Sequence, residues 1–368
     1  MRELVIDLDA IVHNYRTMRT RCGVPVMAVV KADAYGHGMV EVARALEAAG
    51  VDRFGVADVE EALTLRTAGI TSPILAWLHD PADDFVEAVA RNVELGIANV
   101  QQLQRAAAAS KSVGITALLH LKVDTGLGRN GSTIEEWLSL LQQVKALADE
   151  GTVRVVGIFS HLSTTSEAED LAQIARFEAA IEQAQNVGVE FEYRHLTASD
   201  GSIAYPQAHY DMVRVGIALY GLDPFSAHRA TEYGLRPAMT ARSVVALTKR
   251  VPAGQGVSYG YLHRTESETT LALVPVGYAE GLPRNATGAA QVSINGKLYK
   301  INSRVAMDQF VLDVGDDKVQ IGDEVIFFGD PASGAASVDD LADACGTINY
   351  EIVTRMGGRF KRTYLGGL

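Results

Sequence analysis

A lysine at the end of an apolar run is the residue whose type and position most directly suggest chemistry. The segment PVMAVVKADAYGHG, residues 25–38, leads from apolar residues straight into Lys31. If the run is a strand, the ammonium group lies at its C-terminal end, where desolvation lowers the pKa of a lysine and makes its amine nucleophilic. Such an amine forms Schiff bases with carbonyl compounds. Taken alone, the residue is better explained as a lysine whose charged end reaches solvent.

Further polar residues follow apolar runs in the same way, and each has a structural alternative. HLKVDTGLGRNG, residues 120–131, contains Lys122, Asp124 and Arg129, which suit either a binding site or a salt-bridge cluster. His161 ends a later run, where a satisfied structural histidine is the simpler explanation. Arg214, in DMVRVGIALYG, would otherwise form a structural ion pair. Position at strand ends is what these residues share.

The elements that must position them alternate between short apolar runs and helix-like segments from residue 26 to about 221. The runs are VMAVVKA, RFGVAD, PILAWL, ELGIANV, LLHLKVDTG, VRVVGIFSHL, FEYRHLTAS and MVRVGIALYG. Several are apolar without alternation, as in parallel strands covered on both faces. Eight such units predict a (β/α)8 barrel, with its active site at the C-terminal strand ends. An open doubly wound sheet is the alternative.

The pattern changes after about Tyr233, where β-rich runs are broken by turn residues. Asn295-Gly296 between two such runs predicts a two-residue hairpin, and only VDDLADACG has a helical pattern. We therefore predict an α/β chain with a TIM-like barrel at residues 1–232 and a mostly antiparallel β domain at residues 233–368. Tyr259, in GQGVSYGYLHRTESE of that domain, would by itself be a packing residue.

Composition excludes several classes of protein. The 368 residues carry a net charge of −12, which argues against binding nucleic acid. Hydrophobic residues make up 48% and charged residues 21%, as in a folded globular protein. Two cysteines suit a reducing compartment, and no apolar stretch reaches the roughly 18 residues of a membrane span. The charged N-terminus is not a signal peptide. A cytoplasmic protein is predicted, and its nine histidines show no metal-site spacing.

The run around Lys31 resembles the cofactor-lysine signature of bacterial alanine racemases, which use pyridoxal 5′-phosphate (PLP). HLKVDTGLGRNG is similar to the KxDTGMGR segment of the same family, and the resemblance covers essentially the whole chain in order. It implies that Lys31 holds PLP covalently and is one of two acid/base groups. It also implies that Tyr35 contacts the phosphate and that Arg129 binds the phenolic oxygen near the substrate carboxylate. The residue matching Lys122 is carbamylated in many members.

The resemblance assigns further residues to the cofactor. Arg214 matches the arginine that faces the pyridine nitrogen, and His161 matches a histidine that contacts this arginine and orients the catalytic tyrosine. An arginine there leaves no room for a proton on the nitrogen, so the ring withdraws fewer electrons and reprotonation at Cα is favoured. The phosphate would be held by Ser199, by the backbone of Gly216 and Ile217, and by Tyr350.

The resemblance also assigns residues to the substrate side of the site. Tyr259 matches the second catalytic base, which in the family comes from the partner subunit, so a head-to-tail homodimer with shared active sites is implied. Tyr278 matches a tyrosine at the entrance, and the Met307 backbone amide would meet the substrate carboxylate beside Asp308. Two positions depart from the family: Ala198 stands where an asparagine is common, and Ala306 where many members have cysteine.

The function implied is an isomerase that interconverts L- and D-alanine and supplies D-alanine for peptidoglycan. A racemase that also accepts serine is the first alternative, since one methylene is worth only ~1–3 kcal/mol in discrimination. A PLP-dependent decarboxylase of related fold is a weaker alternative, because it would need a Gly-Gly-Gly phosphate run and an acidic residue facing the pyridine nitrogen, and neither is found. A non-catalytic PLP carrier is also a weaker alternative, because such a protein would lack the second domain. A Schiff-base aldolase without PLP would leave the phosphate-side residues without a purpose.

Overall fold

The computed structural model describes residues 1–225 and 227–367. The chain divides into two compact units that interleave along the sequence. The barrel unit comprises Tyr15–Ala32 and Met39–Leu219. The second unit comprises Met1–Asn14, Asp33–Gly38 and Tyr220–Leu368.

Eight parallel strands form the barrel unit, and they are the eight runs expected from the sequence. They are β2 (Val26–Val29), β3 (Arg53–Val56), β4 (Ile74–Ala76), β5 (Val93–Ile97), β6 (Ala117–Lys122), β7 (Val153–Phe159), β8 (Tyr193–His195) and β9 (Val213–Val215). The ladder runs in the order β8-β7-β6-β5-β4-β3-β2-β9. Backbone bonds from Asp211 N to Arg194 O (3.1 Å) and from Arg214 N to Thr197 O (3.0 Å) join its two ends. The predicted TIM-like barrel is confirmed.

Helical segments precede and follow these strands, and several begin at a residue whose side chain accepts a bond from the first turn. They are α1 (Leu8–Cys22), α2 (Lys31–Tyr35), α3 (Met39–Ala48), α4 (Val59–Thr67), α5 (Phe85–Ala90), α6 (Val100–Val113), α7 (Ile134–Asp149), α8 (Glu167–Asn186) and α9 (Ser199–Ala204). Asn99 caps α6 by accepting a bond from Gln102 N, and Gly114 ends it at φ +70°. Every residue of β2 and β5 is buried, as expected for strands with helices on one side and barrel interior on the other.

The second unit is rich in antiparallel strands, as predicted. Its strands are β1 (Glu3–Asp7), β10 (Met239–Val244), β11 (Leu247–Val251), β12 (Gly256–Val257), β13 (His263–Arg264), β14 (Thr269–Val274), β15 (Gln291–Ile294), β16 (Lys297–Lys300), β17 (Phe310–Gly315), β18 (Glu324–Phe328) and β19 (Lys361–Leu365). They form sheets in the orders β16-β15-β18-β10-β1-β19, β11-β14-β17 and β12-β13. Strand β1 is antiparallel to β10 and parallel to β19, so the first strand of the chain belongs to this sheet.

The expected hairpin is present, and one helix was not expected. Strands β15 and β16 pair antiparallel from Ile294 opposite Lys297, and the turn residues have φ +52° at Asn295 and +77° at Gly296. The predicted helix is α10 (Val338–Cys345), and it is followed by α11 (Asn349–Arg355). Within residues 1–225 and 227–367, none of the helices has the length and apolar character needed to cross a bilayer.

Candidate functional site

Lys31 lies just beyond the C-terminal end of β2, where a short left-handed turn begins. The next four residues, Ala32 to Tyr35, all have φ between +52° and +54°. Left-handed backbone is costly for residues with a Cβ, so this turn must be held by its surroundings. Glu61 holds its start in the barrel unit, accepting a bond from Ala32 N (2.6 Å). Burial, reinforced by the charge of Arg129, lowers the pKa of Lys31, although Glu61 acts in the opposite direction.

Four cationic side chains gather at this end of the barrel: Lys31, Lys122, Arg129 and Arg214. Burial, together with the charges of Arg214, Arg129 and Lys31, lowers the pKa of Lys122 to about 7. None of the four forms an ion pair with a carboxylate among the described residues of the barrel unit. Uncompensated positive charge at a barrel's C-terminal face is suited to an anionic ligand.

Arg214 is the most completely hydrogen-bonded member of this group. It is 5% exposed, and its guanidinium donates to the carbonyl oxygens of Ser160 (2.7 Å), Leu196 (2.8 Å) and His195 (2.9 Å). It also faces Nδ1 of His195 and Nδ1 of His161, each at 3.1 Å. The contact between His161 and Arg214 expected from the sequence is therefore present. Burial lowers the pKa of Arg214 to about 9, so the group remains charged at neutral pH.

Ser199 and the segment after β9 form a small polar cradle. Ser199 is 3% exposed. Its Oγ accepts bonds from Gly216 N (3.0 Å) and Ala218 N (3.4 Å). Ile217, also expected at this place, begins a 3₁₀ turn that extends to Tyr220. The hydroxyl and these amide groups lie where loops after the last two barrel strands commonly bind phosphate.

In the second unit, the tyrosines expected on the phosphate side lie around the left-handed turn. The ring of Tyr35 lies 4.9 Å from that of Tyr220 and 6.2 Å from that of Tyr350. Arg362, on β19, pairs with Asp33 (2.7 Å) and donates to the carbonyl of Gly36 (2.9 Å). Tyr35 and Tyr350, distant in sequence, are thus brought together on a turn braced by the C-terminal strand.

Tyr259 lies in a strained and exposed loop between β12 and β13. Its side chain is 71% exposed, and its neighbours Tyr261 and Leu262 are 57% and 58% exposed. Ser258 and Tyr261 have φ of +59° and +46°. A loop that presents this much aromatic and apolar surface under backbone strain is typical of a functional or contact region.

Tyr278 and the segment 306–308 form a second group in this unit. Tyr278 N donates to the carbonyl of Ala306 (3.1 Å). Asp308 pairs with Arg359 (2.7 Å), which also binds the fully buried Glu280. Met307 is 54% exposed. The expected substrate-side residues Tyr278, Met307 and Asp308 are therefore held in one place by backbone and ionic contacts.

A buried polar group behind Arg214 was not anticipated from the sequence. It consists of Arg53, Glu94, His120 and His195, each at most 6% exposed. The available signal was the presence of charged or polar residues inside otherwise apolar strands, as in RFGV, VELGI and ALLHLK. Buried charges are paired in folded proteins, so these residues could have been expected to meet one another.

Known proteins resemble this chain over its full length. The family models "Alanine racemase, N-terminal domain" and "Alanine racemase, C-terminal domain" match residues 6–224 and 238–364. An alanine racemase from Salinispora arenicola is 47% identical over 99% of this chain and 98% of its own length. One from Frankia casuarinae is 48% identical over 98% and 95%. The crystal structure of alanine racemase from D-cycloserine-producing Streptomyces lavendulae matches with a TM-score of 0.97 and 44% identity, covering 100% of this chain and 97% of that one. The chain therefore belongs to the alanine racemase family.

Proposed function

We propose that the protein is a PLP-dependent isomerase that interconverts L-alanine and D-alanine, with Lys31 and Tyr259 as the two proton-transfer groups. The observation that carries the proposal is the group of four basic side chains at the barrel mouth, two of which are lysines with lowered pKa values. The phosphate and phenolic oxygens of PLP are anionic. In a chain with a net charge of −12, unpaired cations at this place fit such a ligand.

The residues that would hold PLP are divided between its two ends. Ser199 and the amides of Gly216 and Ile217 would bind the phosphate, together with the hydroxyls of Tyr35 and Tyr350. At the other end, Arg129 would bind the phenolic oxygen. Arg214 would face the pyridine nitrogen, held by its contacts with three carbonyl oxygens and with His195 and His161.

Proton transfer requires one group on each face of Cα. When bound, PLP weakens the Cα–H bond of an amino acid by accepting the electrons of that bond. Tyr259 would take the proton from L-alanine and Lys31 would return one to the opposite face, with the roles reversed for D-alanine. Burial and the charge of Arg129 lower the pKa of Lys31, which favours the neutral amine needed for that exchange.

Arg214 would decide between racemisation and other outcomes. A guanidinium can only donate hydrogen bonds, so the nitrogen that it faces stays unprotonated. Less negative charge is then withdrawn from Cα, where Lys31 or Tyr259 can restore the proton. Nη2 of Arg214 also lies 3.1 Å from Nδ1 of His161, and because a guanidinium cannot accept, this contact favours a bare Nδ1. The other ring nitrogen of His161 would then carry the proton and could orient the phenol of Tyr259.

Substrate binding would use the exposed group in the second unit. The backbone amide of Met307, with Arg129, would meet the substrate carboxylate, while Tyr278 would border the entrance. Asp308 is occupied by Arg359, so it does not present a free carboxylate to the anionic end of the substrate. These contacts would be made to the carboxylate that alanine and serine share, so serine stays the alternative substrate.

We propose a homodimer in which Tyr259 completes the partner's active site, because its loop presents exposed aromatic and apolar side chains. The test mixes two inactive variants, Lys31→Ala and Tyr259→Phe. In a mixed dimer with shared sites, one site contains Lys31 and Tyr259 together, and random reassociation restores about a quarter of the wild-type activity. If each active site is built from one chain, no intact site forms and activity stays absent.

The proposed setting is the cytoplasm, with D-alanine passed to peptidoglycan synthesis. The reaction itself is tested by chiral chromatography after the PLP-loaded protein is incubated with L-alanine and, separately, with L-serine. D-Alanine should appear faster than D-serine, and Lys31→Ala should abolish both. Lys111→Ala, at an exposed lysine on α6, is the matched control and should retain the activity. Faster formation of D-serine would keep the mechanism and change the substrate, while the absence of D products would refute the proposal.

A further inference from the structure

A continuous line of polar side chains crosses the interior of the barrel behind Arg214. The Arg214 guanidinium contacts His195 Nδ1 (3.1 Å), and His195 Nε2 contacts His120 Nδ1 (2.9 Å). His120 Nε2 contacts Glu94 Oε2 (2.9 Å), which also accepts a bond from Arg53. These residues come from β9, β8, β6, β5 and β3, and none is more than 6% exposed.

Donor and acceptor chemistry fixes the direction of every bond in this line. A guanidinium only donates, so its contact with His195 is a hydrogen bond only when Nδ1 is bare and the proton of that ring lies on Nε2. His195 therefore donates to His120 Nδ1, which is bare in turn, and His120 donates from Nε2 to Glu94. The carboxylate of Glu94 requires the same direction, because an ionised carboxylate only accepts.

The charge states agree with this direction. Burial lowers the pKa of His120 and holds that of His195 well below its usual range, so both rings are neutral. Burial alone would raise the pKa of Glu94, but the hydrogen bond from His120, with the hydrogen bond and charge of Arg53, outweighs burial and holds the pKa below its usual range. The line thus contains one anion, two neutral imidazoles and a cation at each end.

Packing around the two imidazoles leaves little freedom for another arrangement. A Cβ at position 157 would lie 2.5 Å from His120 Nδ1 and 2.7 Å from the carbonyl of Tyr193, so Gly157 provides the room that His120 occupies. Phe159 stacks on His195 with ring centroids 5.0 Å apart and an interplanar angle of 2°. Ring flips that would exchange the nitrogens are therefore obstructed on both histidines.

We infer that Glu94, acting through His120, is a positioning residue that fixes His195 in its Nε2–H form and so preserves the Nδ1 acceptor that orients Arg214. The inference rests on the proposed role of Arg214 toward the pyridine nitrogen of PLP. If His195 carried its proton on Nδ1 instead, two donors would face each other at 3.1 Å, and the guanidinium would have to turn from its present direction. Glu94 thus acts on the cofactor site from the opposite side of the barrel.

The first test reads the tautomers directly in the wild-type apoprotein. With ¹⁵N-labelled histidine, long-range ¹H–¹⁵N NMR distinguishes a bare ring nitrogen from a protonated one. We expect His120 and His195 to be neutral with the proton on Nε2, and assignment by His120→Gln and His195→Gln identifies their signals. A proton on Nδ1 of His195 would overturn the inference without the use of any Glu94 variant.

The second test uses Glu94→Gln, whose amide can either accept from His120 or donate to it. The carboxylate constraint is then lost, and we expect a mixture of tautomers at His120 and His195. In the PLP-loaded enzyme, kcat should fall by about tenfold or more, as for other residues that orient a functional group, while KM for alanine changes little. Glu87→Gln, which removes a carboxylate from an exposed ion pair on α5, is the matched control and should leave every measurement unchanged.

The outcomes separate this inference from the proposed function. A purely structural role of Glu94 would lower the unfolding midpoint of Glu94→Gln and leave tautomers and kcat as in the wild type, which would refute positioning. If that result accompanies racemisation by the wild type and its loss in Arg214→Ala, the role of Arg214 stands and the inference fails. If the wild type does not racemise alanine, the proposed function fails, and the tautomers of the apoprotein still decide whether Glu94 sets the direction of the line.

Discussion

Lys122 offers a quantitative test of the electrostatics at the barrel mouth. Burial and three neighbouring cations lower its pKa from 10.5 to about 7 in the folded chain. Between those pH values the unfolded chain binds a proton that the folded chain does not. Stability therefore rises with pH through this window, by about 1.4 kcal/mol per pH unit for one group. Below about pH 7 both states are protonated, and the full cost of the buried charge is present.

The contribution is measured by comparing the apoprotein with its Lys122→Met variant, in which this group cannot titrate. From about pH 7.5 to about pH 9.5, the free energy of unfolding of the wild type should gain about 2.5 kcal/mol relative to the variant. Urea unfolding is followed by tryptophan fluorescence, because both tryptophans, Trp77 and Trp137, lie in the barrel unit with Lys122. Buffers are kept free of CO2. Lys111→Met, at an exposed lysine, should give a curve parallel to that of the wild type.

A constant difference between the wild type and Lys122→Met across this range would refute the reasoning, because it would mean that Lys122 keeps its charge in the folded chain.

The neutral amine of Lys122 is also the form that reacts with CO2 to give a carbamate and a proton. We propose that this carbamate forms and pairs with Arg129. In ¹³C-bicarbonate, a carbamate carbon signal should appear in the wild type and be absent from Lys122→Met, and its absence from both would exclude the modification.

Three further substitutions test other parts of the site. Tyr259→Phe removes only the phenol oxygen, so the rate of racemisation should fall by about 10²–10⁴-fold while the visible absorbance band of bound PLP persists. Racemisation at the wild-type rate would rule out Tyr259 as a proton-transfer group. Ser199→Ala removes a hydroxyl from the phosphate cradle, and since a hydrogen bond to a charged group is worth about 1.5–3 kcal/mol, the Kd for PLP in equilibrium dialysis should rise by about tenfold or more. An unchanged Kd would place the phosphate elsewhere. Arg362→Ala removes the ion pair to Asp33 and the hydrogen bond to the carbonyl of Gly36. Hydrogen exchange of the backbone amides in the left-handed turn should therefore become faster, and PLP should bind more weakly. Exchange as slow as in the wild type would show that Arg362 is not needed to hold the turn.

Much of the barrel could be predicted because its strands are long enough and apolar enough to be recognised individually. Fully apolar runs such as the one before Lys31 require cover on both faces, and eight strand-like runs separated by helices leave few topologies. The hairpin at Asn295-Gly296 was predictable because a two-residue turn with positive φ favours those residue types. Lys31, Lys122 and Arg214 were found because each follows or lies within such a strand. Their roles toward the cofactor stay predictions.

Other features depend on contacts that no local pattern contains. Nothing in Glu3–Asp7 indicates that this strand pairs with β10 and β19, which lie more than two hundred residues away. The left-handed conformation of Ala32–Tyr35 contradicts local preference, since alanine and tyrosine favour the right-handed region. The line from Arg214 to Glu94 was missed because hydrogen bonds between strands depend on which side chains share a level of the barrel. The pairing of β1, the left-handed turn and the line of polar side chains are all determined by tertiary contacts.

The left-handed turn after Lys31 also sets an order of events during synthesis. Four residues in this conformation cost about 1–2 kcal/mol each, and Arg362, which braces the turn, is 326 residues away from Gly36. At about 5–20 residues per second, a ribosome needs roughly 16–65 s to make the intervening chain. During that time the nascent chain contains Lys31 but lacks the strand that holds Tyr35 beside Tyr350. In the proposed site, capture of the cofactor in its final geometry would therefore follow translation of β19, because a chain that ends before Lys361 lacks the residue that braces the turn with Tyr35.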